Sequence, residues 1–84
     1  RITALGTERA ARDAAGEAFA TWSALITEKL VADGADPRRA AALGVLTVGA
    51  LEGALILAQA QRSPAPLDTV VEELAAQCRA ATGG

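Results

Sequence analysis

The stretch Ala40–Ala60, AAALGVLTVGALEGALILAQA, is apolar all round a helix and carries one charge, Glu52. A helix with no polar face has to be covered on every side. The rest of this 84-residue chain holds only two further helical patterns and no strand alternation. A domain this small buries only about 60% of its unfolded surface. The expectation is an all-α fold whose central helix needs a partner surface.

From Thr7 to Asp33 the apolar positions Ala11, Ala14, Ala15, Ala18, Phe19, Trp22, Leu25, Ile26 and Leu30 fall at steps of three and four, which predicts a helix over about 7–33. Thr7 reads as its N-cap and Gly34 as the left-handed residue that ends it. Glu8 and Arg12 are spaced to pair across one turn. Asp36-Pro37 is a strong helix start, an acceptor for the first amides followed by a residue preset for the first turn; the second helix should cover about 37–62. The break Arg62-Ser63-Pro64-Ala65-Pro66 leads into a third helix over about 66–81, striped by Leu67, Val70, Val71, Leu74, Ala75 and Cys78. Arg1–Gly6 is expected to be a remnant of a preceding segment, and the absence of methionine points to a translation start upstream.

The second helix has two unlike sides. Ala42, Val45, Gly49, Glu52, Gly53, Ile56 and Ala60 share one, where glycine would let another helix approach closely. Leu43, Thr47, Leu51, Ala54 and Ala58 share the other, facing the first helix or a cavity. Gly44, Gly49 and Gly53 together suggest close packing, since an interior glycine costs roughly 0.5–1 kcal/mol relative to alanine.

No catalytic constellation emerges. Glu72-Glu73 point about 100° apart on a helix and do not converge. Cys78 lies on an apolar stripe without a cation to activate it. Arg38-Arg39 are too few to form a phosphate-binding patch. A net charge of −2 argues against a nucleic-acid surface, and a chain with no His and one Cys lacks the usual zinc donors. No cofactor, metal site or enzymatic activity is expected, and the single cysteine suits a reducing, cytoplasmic compartment. Ala40–Ala60 is also long enough to span a bilayer, and Gly49-x-x-x-Gly53 matches a membrane dimer motif. Against that reading, Glu52 would sit inside the span, and the flanking helices are amphipathic like those of soluble proteins.

Leu51-Glu52-Gly53-Ala54-Leu55-Ile56-Leu57-Ala58, then Arg62-Ser63 and Pro66-Leu67, resembles the C-terminal end of TetR-type transcriptional regulators of the LmrA/YxaF-like branch. Ala18-Phe19, Trp22, Leu25-Ile26, Leu30 and Gly34 are similar to the same branch. The resemblance implies that residues 7–84 are the effector-binding and dimerisation domain of a homodimeric repressor, with the last two helices in a four-helix bundle across the dimer. It further implies a small, mostly apolar effector. Operator DNA would be read by an N-terminal helix-turn-helix that this sequence lacks. On that basis Phe19, Trp22, Ile26, Thr47 and Leu51 are ligand-binding candidates. Val45, Gly49, Glu52, Gly53, Ile56, Val71, Leu74 and Cys78 are dimer-interface candidates. A helical dimerisation module without a ligand, and a small membrane protein, are the alternatives.

Overall fold

The computed structural model describes residues 4–83, and they form three α-helices: α1 (Ala4–Ala32), α2 (Pro37–Gln61) and α3 (Ala65–Ala81). The all-α expectation holds. Helix α1 begins at Ala4, before the expected N-cap Thr7, which lies inside it. Ala4 and Leu5 are good helix formers, and nothing in that stretch breaks the helix. Of the expected remnant, Ala4–Gly6 is therefore continuous with α1, and residues 1–3 lie outside the described residues. The ion pair on α1 is Lys29–Asp33 at 3.1 Å rather than Glu8–Arg12.

The helix ends follow the sequence signals closely. Gly34 takes φ +108°, the amide of Ala35 donates to the Leu30 carbonyl, and that of Gly34 donates to Val31. This is a Schellman closure, and Leu30 and Ala35 pack together beneath it. Asp36 caps α2 by accepting from the Arg39 amide at 3.1 Å. The far end of α2 closes in the same way, Ser63 donating to the Ala58 carbonyl and Arg62 to Gln59, but here Arg62 occupies the left-handed position at φ 51°. A side chain there is disfavoured relative to glycine. Arg62→Gly is expected to raise stability by about 0.5–1 kcal/mol, measured as an upward shift in the urea midpoint. An unchanged or lower midpoint would mean that the arginine side chain stabilises the turn.

Leu30, Ala35, Ala40 and Leu43 form the core cluster, with Ile26, Cys78 and Ala81 packed against it. It sits where the end of α1, the start of α2 and the end of α3 meet. Away from that junction the molecule is thin: its principal extents are 52 × 31 × 13 Å. Its radius of gyration is 15.6 Å, whereas a compact domain of this length has roughly 12 Å. One layer of helices leaves broad faces open, while stable domains stack at least two layers.

The α1–α2 contact is set by Gly44. A Cβ there would lie 2.4 Å from Thr27 Oγ1 and 2.6 Å from the Ser23 carbonyl oxygen. The Thr27 hydroxyl is 2.8 Å from that same carbonyl and 3.4 Å from the Ala40 carbonyl, so the two backbones nearly touch. Close approach selects the small residues of α1. Phe19, Ser23, Ile26, Thr27 and Leu30 turn toward α2, while Trp22 and Leu25 stay exposed. The expected stripe, with its bulk at Phe19, Trp22 and Ile26, is thus rotated: a tryptophan at the crossing would hold the helices apart.

Candidate functional site

Both sides of α2 are as the sequence divides them. Leu43, Ala54 and Ala58 are buried and Thr47 and Leu51 are partly buried. The opposite side is covered by no part of the described chain. Val45 is 67% exposed and Ile56 65%. A Cβ added at Gly49 or Gly53 would meet nothing within 4 Å. Of the three glycines expected to mediate close packing, only Gly44 does so within the chain. Glu52 lies half-buried at the edge of this open side, with no side-chain partner among the described residues.

Toward α3 the open side continues into a groove of about 410 Å³ lined by Arg39, Leu46, Ala50, Val70, Glu73, Leu74 and Gln77. Its floor is apolar, and a polar chain closes one rim. Arg39 Nη2 donates to Gln77 Oε1 at 3.0 Å, and Gln77 Nε2 donates to Glu73 Oε1 at 3.0 Å. The first of these bonds ties α2 to α3 across the end of the groove, and the second, within α3, holds the Gln77 amide in place. Leu46, Ala50 and Gln77 were not singled out by the sequence, and Val70 only as part of the α3 stripe, although Arg39, Leu46 and Ala50 lie at i, i+7 and i+11 on one helix edge.

The eight interface candidates divide accordingly. Val45, Gly49, Gly53 and Ile56 share the open side of α2, with Glu52 at its margin. Leu74 is 8% exposed and is consumed in packing within the chain, and Cys78 packs against the core cluster. α3 turns both toward the rest of the chain, and Leu74 also lines the groove. Val71 is exposed but points about 100° away from its neighbour Val70, which lines the groove.

None of the five ligand candidates lines that groove. Phe19 and Trp22 stack edge to face, with ring centroids 5.7 Å apart at 61°. Ile26 belongs to the packing around the core. The Thr47 hydroxyl is buried between the helices and makes no hydrogen bond among the described residues, and an unmet hydroxyl of that kind costs roughly 1–3 kcal/mol. Among the described residues no group of acidic, His or Cys side chains is arranged to hold a metal. By length and composition alone, α2 is able to cross a membrane.

Comparison with known proteins places the chain in a family. Residues 2–73 match the family described as the transcriptional regulator LmrA/YxaF-like, C-terminal domain. The chain is also 43% identical over 60 residues to uncharacterised HTH-type transcriptional regulators from two strains of Mycobacterium tuberculosis. The match covers 71% of this chain and 31% of each relative, so the chain spans about a third of their length. No solved structure matches it. The family is one of regulators, not of enzymes. The chain belongs to the LmrA/YxaF-like C-terminal domains of TetR-type transcriptional regulators.

Proposed function

We propose that this chain is the dimerisation and effector-binding part of a cytoplasmic transcriptional repressor. The observation that carries the reading is the uncovered face of α2. The chain exposes 6017 Å², whereas a compact monomer of 8.5 kDa exposes roughly 4,700 Å². The excess, roughly 1,300 Å², exceeds the roughly 800 Å² per partner of a standard interface. A second copy laid on Val45, Gly49, Gly53 and Ile56 would supply the missing layer and make α2 and α3 half of a four-helix bundle. The α2–α3 groove is continuous with that face and belongs to the same interface.

The effector would enter on the other side of α2, between α1 and α2, against Phe19, Trp22, Ile26, Thr47 and Leu51. The buried Thr47 hydroxyl, unpartnered among the described residues, supports that side, since it offers one hydrogen bond to an effector. An effector that prefers one arrangement of the dimer shifts the population toward it by differential affinity alone. Operator binding would then be lost where half-site spacing no longer fits the two reading helices of the longer protein.

Trp22 supplies the test. Its ring is half-exposed on α1, so titration with a panel of apolar and cationic aromatic compounds should shift its emission for at least one of them. Silence across the panel, with a dimer still present by sedimentation, would favour the second reading, a dimerisation module without a ligand.

A further inference from the structure

The open face of α2 carries large and small residues in a pattern that is self-complementary about one point. Val45 and Gly53 lie four residues on either side of Gly49, and Ala42 and Ile56 lie seven on either side. All five share the uncovered side of the helix. In a twofold contact, residue i meets j and j meets i. We infer that α2 crosses its twofold mate antiparallel, with the axis at Gly49. This rests on the dimer reading above and adds the register to it.

With the axis there, Val45 of one copy sits over Gly53 of the partner subunit, and Ile56 sits over Ala42 of the partner subunit. Both of these exposed branched side chains meet a position with little or no side chain. Gly49 occupies the point of closest approach, where its missing Cβ lets the backbones come together. A parallel arrangement would set Val45 on Val45 and Ile56 on Ile56, with glycine opposite glycine between them, alternating crowding with voids. Close packing disfavours that. The excess area calls for a partner surface, the open side of α2 is where the chain offers one, and the size pattern selects how the partner lies.

Disulfide trapping in a Cys78→Ala background tests the register, because a disulfide needs Cα atoms about 4.4–6.8 Å apart. Gly49→Cys alone should form a covalent dimer on mild oxidation, at least ten times faster than Ile56→Cys alone, whose two copies would lie about 21 Å apart along the axis. The double variant Val45→Cys/Gly53→Cys should also cross-link, as an independent arm. Trapping at Gly53→Cys or Ile56→Cys but not at Gly49→Cys, in a chain that still sediments as a dimer, overturns the register and leaves the dimer standing. A chain that stays folded by circular dichroism and sediments as a monomer at every concentration overturns both.

Discussion

Gly44→Ala should destabilise the domain even though it replaces a poor helix former by the best one. The gain in helix propensity is about 1 kcal/mol. Against it stands a Cβ placed 2.6 Å from the Ser23 carbonyl oxygen and 2.4 Å from Thr27 Oγ1. The threonine can rotate away, but the carbonyl is part of α1 and moves only if the whole helix moves. Overpacking of this kind costs roughly 1–3 kcal/mol, and here it would also pull α1 from Ala40 and Leu43, which are fully buried. With a rigid carbonyl as the obstacle the cost falls in the upper part of that range, so the net loss expected is about 1–2 kcal/mol for alanine, read from urea denaturation, and Gly44→Leu should leave no cooperative transition. Two comparisons isolate the cause. Gly16→Ala, where nothing lies within 4 Å, should stabilise by about 0.5–1 kcal/mol. Thr27→Ala should not restore Gly44→Ala, because the backbone obstacle remains. If Gly44→Ala proved as stable as the parent, the α1–α2 crossing would have to be looser than described.

That crossing also marks where the sequence stops being legible. Helix ends carried by local chemistry are readable residue by residue: Asp36-Pro37 starts α2, Gly34 ends α1, and the proline break separates α2 from α3. The division of α2 into a covered side and an open side is readable too, since both follow from a period of 3.6 residues. The face of α1 is not. Ser23 and Thr27 count as polar in any hydrophobic pattern, yet they form the contact because a glycine opposite admits backbone-to-backbone packing. Trp22 dominates the pattern and is left outside for the same reason. On α3 the stripe contains both Val70 and Val71, and a single-residue choice moves the surface by about 100°. Leu74 and Cys78 read as interface residues in the sequence, and the assembled layer shows that both also take part in packing within the chain.

Gly49→Leu and Gly53→Leu should each convert the dimer to monomer without unfolding the chain. Inside one copy there is room for both side chains, since nothing approaches within 4 Å of either position, and leucine improves helix propensity by close to 1 kcal/mol. Helical content by circular dichroism should therefore be kept or increased. Between two copies the branched leucine side chains would wedge apart backbones that only small residues let meet, and a separation of even 1–2 Å removes most of the dispersion contact over Val45 and Ile56. Loss of one well-packed helix crossing is expected to weaken dimerisation by at least 100-fold, or about 2.7 kcal/mol, seen as a monomer in sedimentation at concentrations where the parent is dimeric. The contrast with Gly44 is what gives the pair its force. At Gly44 an added side chain collides within the chain and lowers stability at any concentration. At Gly49 and Gly53 it collides only with a second copy, so the effect should appear in association and vanish on dilution. If both leucine variants remain dimeric, the partner does not lie on this face, and the apolar side of α2 must be covered by something other than its own twin.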